Sequence, residues 1–255
     1  MNYLEALRLQ LEWGADEALL EAPQNRFLIP ALPPAEKPAR AIPRAMAALP
    51  PGPAAAEKIA AACNNLEELR AALQSFTGCA LKDTATQLVF ADGASVTKLV
   101  FIGEAPGGDE DRIGRPFVGV AGQLLDKMLA SIGLDRTKLR FVNVVPWRPP
   151  GNRVPTDSEI AVCLPFLRRH VELVAPRCVV LLGAVAAKAL LPGAGAAGIR
   201  RLRGQWKQLE WPGLVAPIAC LPTYLPAYLL RTPGAKRESW HDLIALRQWL
   251  NDDEI

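Results

Sequence analysis

Between residues 98 and 126 the chain changes from one periodicity to another through a run of glycines. Lys98-Leu99-Val100-Phe101-Ile102 is short and continuously apolar, the pattern of a strand buried on both faces of a parallel sheet. It runs into Gly103-Glu104-Ala105-Pro106-Gly107-Gly108-Asp109-Glu110-Asp111, a turn of small residues and carboxylates, and then into Gly114-Arg115-Pro116-Phe117-Val118-Gly119. Helical spacing starts at Ala121-Gly122-Gln123-Leu124-Leu125-Asp126. Small residues let backbone approach a ligand closely, and a helix start offers unpaired N–H groups to an anion. The stretch predicts a pocket for a flat polar ring attached to a phosphate.

The alternation continues downstream. Strands are predicted at 98–102, 140–145, 177–182 and about 214–221, and helices at 121–132, 157–173, 184–191 and 238–250. This order predicts an α/β fold, a single doubly wound domain with a central parallel four-stranded sheet flanked by helices. Ligands of such sheets bind beyond the carboxyl ends of the strands. We assign this domain to residues 57–255. Residues 1–56 form an extension: an amphipathic helix over 3–21, with Leu4, Leu7, Leu11, Leu19 and Leu20 on its apolar side, and an Ala/Pro-rich linker over 23–53. A further helix is expected from Glu57 to Leu73, broken at Asn64-Asn65.

Composition narrows the function classes. A chain of 255 residues, half of them apolar, accommodates one such domain with an appendage. No apolar run reaches the roughly 18 residues of a membrane helix, and Met1-Asn2-Tyr3-Leu4-Glu5 lacks the order of a secretion signal. A cytoplasmic monomer with no membrane partner is expected. A net charge of +3 excludes a strongly basic DNA-coating protein. Positive charge is local instead, at Arg148, Arg153, Arg168-Arg169, Arg200-Arg201, Arg203, Arg231 and Lys236-Arg237, partly in loops at strand ends where phosphates could be met. Disulfides are not expected among five cysteines in a cytosolic chain, and the two histidines have no cysteine at zinc-finger spacing.

Two later segments repeat the strand-into-loop pattern: Phe141-Val142-Asn143-Val144-Val145-Pro146-Trp147-Arg148-Pro149-Pro150-Gly151-Asn152-Arg153, and Pro222-Thr223-Tyr224-Leu225-Pro226-Ala227-Tyr228-Leu229-Leu230-Arg231. In order and spacing, the three motifs resemble the uracil-DNA glycosylase superfamily, most closely family 4, from about Phe76 to the C-terminus. The resemblance implies hydrolysis of the N-glycosidic bond of deoxyuridine in DNA to leave an abasic site, the entry to base-excision repair, after the nucleotide has been flipped out of the duplex. It implies a uracil site made by Gly103, Glu104, Ala105, Glu110, Asp111, Phe117 and Asn143. Phe117 would be the ring on which uracil stacks. The Asn143 amide can donate to O4 and accept from N3–H, a match to uracil and a mismatch to cytosine. The carboxylates would shape the pocket, exclude the thymine methyl or orient water. Arg115, Arg148, Arg153, Tyr228, Leu229 and Arg231 would meet DNA, with Tyr228, Leu229 and Leu230 wedging into the stack. Each residue also has a plainer reading: an aromatic after proline can be core, an acidic turn can be solvated, and Tyr-Leu-Leu can be ordinary packing.

Departures from the family pattern matter as much. Ala105 stands where the best-known family of the superfamily has a water-directing Asp; this implies a dissociative route, with Glu104 the nearest candidate for placing water. Leu225 stands where relatives have a His that donates to uracil O2. Loss of one such donor costs about 10²–10³ in rate, and backbone N–H groups of the glycine-rich turn are expected to supply part of the lost stabilisation. Family 4 usually carries a four-iron cluster on four cysteines, and those positions read Phe76, Cys79, Trp147 and Cys163. Two thiolates do not hold such a cluster, so no cofactor and no metal are expected, with Phe76 and Trp147 filling the volume. The loop from Pro149 to Thr156 has no His for covalent trapping, and His170 and His241 are expected to be structural. The principal alternative, motivated by Leu225, is a uracil- or abasic-site DNA-binding protein with weak or no turnover. A Rossmann-like enzyme of free nucleotides would need a phosphate-loop signature that this sequence lacks.

Overall fold

The computed structural model describes residues 3–5, 8 and 51–252. By internal contacts the chain divides into two units, Met1–Ala48 and Leu49–Ile255. The helix expected over 3–21 and the Ala/Pro-rich linker lie almost wholly outside the described residues.

In the second unit, four short apolar runs become the parallel strands β2 (Leu99–Gly103), β3 (Arg140–Asn143), β4 (Cys178–Leu182) and β6 (Ile218–Thr223). All four are buried along their whole length, as continuous apolar runs require. The expected four-stranded parallel core is there. Two antiparallel edge strands enlarge it to six: β1 (Asp92–Gly93) beside β3, and β5 (Lys207–Leu209) beside β6, in the order β1-β3-β2-β4-β6-β5. Two and three residues are too few to display a period of two, which is why the sequence did not announce them.

Helices cover both faces: α1 (Pro53–Ala61), α2 (Leu66–Ser75), α3 (Leu81–Thr84), α4 (Gly108–Ile113), α5 (Val120–Ser131), α6 (Asp157–Val174), α7 (Ala184–Leu190), α8 (Ala194–Ala197), α9 (Ile199–Leu202), α10 (Pro226–Arg231) and α11 (Lys236–Asp252). The pleat sorts alternate strand residues onto opposite faces. Val100, Ile102, Val142, Val179, Leu181 and Cys220 pack in one cluster with α1, α2, α6 and α7. Leu99, Phe101, Phe141, Val180, Leu182 and Leu221 pack in the other with α5 and α11. Among the described residues no helix is long and apolar enough to cross a membrane.

Local chemistry sets the ends. α1 begins at Pro53, four residues before the expected start at Glu57, because proline is suited to the first helical position, where no N–H partner is needed. The break at Asn64-Asn65 is present, and the Asn65 side chain caps α2 by accepting from the Glu68 N–H at 2.8 Å. Thr156 and Glu159 form a reciprocal capping box on α6. At the far side of the sheet, the Thr223 hydroxyl donates to buried Asp242 on α11 at 2.6 Å, and Arg203 pairs with the same carboxylate. Tyr224 donates to Glu238 at 2.7 Å. These bonds tie the end of β6, and the loop it feeds, to α11.

Register places the site. Gly103 is the partner of Asn143, so β2 and β3 end side by side. Two more bonds, Val144 N–H to the Gly103 carbonyl at 2.9 Å and Val145 N–H to the Glu104 carbonyl at 3.1 Å, extend the pairing past the sheet edge.

Candidate active site

The glycine-rich turn after β2 closes on one carboxylate. Oε2 of Glu110 accepts from Gly107 N–H at 3.1 Å, while Oε1 accepts from Val118 N–H at 3.0 Å and Gly119 N–H at 2.8 Å. The amino ends of α4 and α5 thus share a negative side chain, which suits the orphan donors and dipole of each helix. This corrects an expectation: the helix-start N–H groups are engaged by the protein's own carboxylate, and these three donors are not free for a ligand anion.

Between the two helix starts lies Phe117, with φ of 56°, the left-handed region that bulky residues rarely adopt. Two glycines accommodate it. A Cβ at Gly122 would overlap the Phe117 carbonyl, and a Cβ at Gly103 would overlap the Phe117 ring. The ring is buried and rests edge-on against Phe141, with centroids 5.9 Å apart and planes at 61°. Asn143 reaches the same point from β3: its Oδ1 would lie 2.5 Å from a Cβ at Gly103. That oxygen is buried and has no hydrogen-bond partner within the protein. A buried acceptor left unpaired is costly and calls for an explanation.

Phe117 and Asn143 open into a cleft of about 360 Å³, walled by Glu104, Ala105, Pro106, Gly107, Glu110, Ala121, Pro149, Asn152, Arg153, Val154, Leu225, Ala227 and Arg231. Larger hollows of about 610 and 500 Å³ lie beside the amino ends of β4 and β6 and between α1 and α6. Size does not choose among them; position beyond the carboxyl ends of β2 and β3, and the orphaned amide, do. Burial raises the Glu104 carboxyl above its ordinary range, with Arg231 opposing. Leu225 caps the start of α10 and stands against Gly183, where an added Cβ would come within 3.0 Å of its own.

The residues named from sequence divide into two groups. Glu104, Ala105, Glu110, Phe117, Asn143, Leu225, Arg153 and Arg231 share the cleft, and Gly103 lies behind its lining, between ring and amide. Arg148 lies at the rim, donating to Asn152 at 2.8 Å. Arg153 is paired with Glu159 at 2.6 Å, which holds that carboxyl down to about 2.

Asp111, Arg115, Tyr228 and Leu229 lie elsewhere. Asp111 is buried and its Oδ1 accepts from the N–H groups of Thr86 and Gln87, so it fastens the preceding loop and does not touch the cleft. Arg115 makes two bonds to Asp92, at 3.0 and 3.1 Å, on the β1 side of the sheet. Leu229 is fully buried beside Tyr224 and Ala235 and cannot enter a base stack, whereas its neighbour Leu230 is exposed. Tyr228 is half-buried against the Tyr224 ring. In a six-residue helix one face must pack inward, which assigns Leu229 to the core and Leu230 to solvent. Sequence reading missed Ala121, Asn152, Val154 and Ala227 as cleft walls. Only Asn152 carried a signal, as the residue after Pro-Pro-Gly, and it adopts φ of 56°. His170 is buried, accepts from Arg140 Nε at 3.1 Å and is driven down to about 3 by burial and by that guanidinium; His241 lies on the exposed face of α11.

The four positions that would ligate an iron–sulfur cluster, Phe76, Cys79, Trp147 and Cys163, are all buried in one hydrophobic cluster. Cys79 and Cys163 share a hydrogen bond that lowers the Cys79 thiol and raises Cys163. Phe76 packs edge-on to Phe166 at 5.0 Å. Two thiols, a phenyl ring and an indole do not fit a group that needs four soft ligands.

The mixed sheet with a cleft at the carboxyl ends of two adjacent parallel core strands is accompanied by clear sequence similarity. The profile of the uracil DNA glycosylase superfamily matches residues 90–244. The type-4 uracil-DNA glycosylase of Sulfurisphaera tokodaii is 36% identical over 188 residues, 72% of this chain and 84% of the relative. That of Thermotoga maritima is 41% identical over 155 residues, covering 61% and 78%, and that of Archaeoglobus fulgidus is 40% identical over 177 residues, covering 68% and 87%. The chain belongs to the uracil DNA glycosylase superfamily, in its type-4 branch.

The carboxylate latch makes a stability prediction. Glu110→Gln keeps the shape but replaces one acceptor oxygen by a donor facing backbone N–H. It should destabilise the fold by about 1–3 kcal/mol in chemical denaturation; unchanged stability would mean the three bonds contribute nothing.

Proposed function

We propose that this chain is a monofunctional uracil-DNA glycosylase, acting as a cytoplasmic monomer on uracil-containing DNA without a metal cluster and leaving an abasic site. The observation that carries this reading is the orphaned Asn143 oxygen beside the Phe117 ring. An acceptor kept dry next to an aromatic face is what an imide N–H requires, and the amide's nitrogen can then donate to the adjacent carbonyl. Uracil offers that pair of groups; cytosine reverses it.

In the reaction the nucleotide leaves the duplex and its base lies on Phe117. Arg148, Arg153 and Arg231 border the opening, where phosphates would approach. The glycosidic bond breaks ahead of water addition, with positive charge growing on the sugar and negative charge on the base. Glu104, half-buried at the cleft wall, is the carboxylate available to steady the sugar and hold the water; Ala105 cannot. Leu225 gives the departing base no hydrogen bond, and the N–H groups of Gly107 in the turn and of Val118 and Gly119 at the start of α5 are already engaged by Glu110. These three donors therefore give the departing base nothing, and slow turnover is expected.

The same residue favours the second reading, a protein that recognises uracil or abasic sites with little turnover. Incubation with duplex and single-stranded DNA carrying one uracil, followed by alkali, separates the two. Strand breaks at the uracil are expected. Asn143→Ala should lower the rate at least about 100-fold, and Leu225→His should raise it by up to about 10²–10³. Tight binding without breaks would establish the second reading, and no response to either substitution would refute the pocket assignment.

Purified protein should contain no stoichiometric iron or acid-labile sulfide. Four irons per chain would overturn the cluster-free reading.

A further inference from the structure

Arg136 does not reach the cleft and was not singled out by any motif, yet it contacts both the Phe117 backbone and the ring that supports Phe117. It opens a short 3₁₀ helix, Arg136–Lys138, that leads into β3, the strand carrying Phe141 and Asn143. From there its side chain, mostly buried, reaches under the segment before α5. Nη2 donates to the Pro116 carbonyl at 2.6 Å, and Nη1 donates to the Phe117 carbonyl at 2.9 Å and to Asp126 at 2.8 Å. Nε donates to Asp92 at 3.0 Å, and the guanidinium lies over the Phe141 ring, 4.6 Å from its centroid. Asp92 also binds Arg115; burial opposes its charge, but the two guanidiniums outweigh that and hold its carboxyl below the usual range.

The two carbonyls held by Arg136 flank the left-handed residue. Phe117 has an unfavourable backbone conformation that persists only if its surroundings fix it. Glu110 fixes the N–H side, at Val118 and Gly119. Arg136 fixes the carbonyl side. The same guanidinium stacks on Phe141, whose ring supports Phe117 edge-on. We infer that Arg136 is a positioning residue for base recognition, pinning the Phe117 backbone and its supporting ring so that the stacking face is held in register with the Asn143 amide. A guanidinium suits this task because its donors diverge in one plane; an ammonium is a single point charge and cannot reach both carbonyls and both carboxylates. The inference rests on the reading of Phe117 as the stacking platform.

A double-mutant cycle tests it. Single-turnover excision of uracil is measured for the unsubstituted protein, Phe117→Ala, Arg136→Gln and the double variant, with melting temperature and affinity for uracil-free DNA measured alongside. Arg136→Gln should slow excision by roughly 10- to 100-fold, the scale of a small misplacement of a bound group, while leaving affinity for uracil-free DNA unchanged. In the Phe117→Ala background the same substitution should cost less than about twofold, because its effect passes through the ring. Arg136→Lys, which preserves the charge between Asp92 and Asp126, should show the same ring-dependent loss with little change in melting temperature, and it carries the comparison if the Gln variant does not fold. Equal losses in both backgrounds, or full activity of Arg136→Lys, would overturn the inference alone. Undiminished activity of Phe117→Ala would instead overturn the platform reading, and the inference with it.

Discussion

The site depends on there being no side chain at position 103. Gly103 ends β2 between the Phe117 ring and the Asn143 amide, and both occupy the volume that a Cβ would need. Their closeness follows from sheet register, since Gly103 and Asn143 are partners on adjacent parallel strands. An aromatic face and a strand-end amide, supplied by segments 26 residues apart in sequence, are thereby brought to one corner of the sheet. Even alanine at this position would force ring, amide or strand apart.

Around that corner the protein balances its charges internally. Glu110 takes the N–H groups of two helix starts, Arg136 takes the carbonyls on the other side of Phe117, and Asp92 and Asp126 hold Arg136 in turn. Glu110, Arg136, Asp92 and Asp126 are thus all paired, whereas the buried Asn143 oxygen at the same corner has no partner within the protein. That contrast separates a binding surface from a structural network. Leu225 donates nothing to the cleft, and the N–H groups of Gly107, Val118 and Gly119 are taken by Glu110.

Much of the fold was legible because the core strands are unbroken apolar runs and the long helices keep a clear period. β1 and β5 were not, since pairing with a neighbour rather than any pattern of their own makes them strands. The cleft was legible in residues whose type is costly in their setting: glycines at a strand end, an Asn in a buried strand, a proline-linked Phe. Asp111 and Leu229 show the limit of motif reading. An acidic residue next to Glu110, and a leucine next to Leu230, are indistinguishable in sequence, but one turn of helix points them into the protein. Arg136 was invisible for the opposite reason. It lies outside every motif and acquires its importance only when the chain brings the Pro116 and Phe117 carbonyls to it.

The most direct test of the account is a crystal soaked with free uracil. The base should lie flat on Phe117, with its N3–H and O4 edge against the Asn143 amide and Gly103 beneath. Density for uracil at any other place on the protein, with Phe117 and Asn143 uncovered, would contradict it.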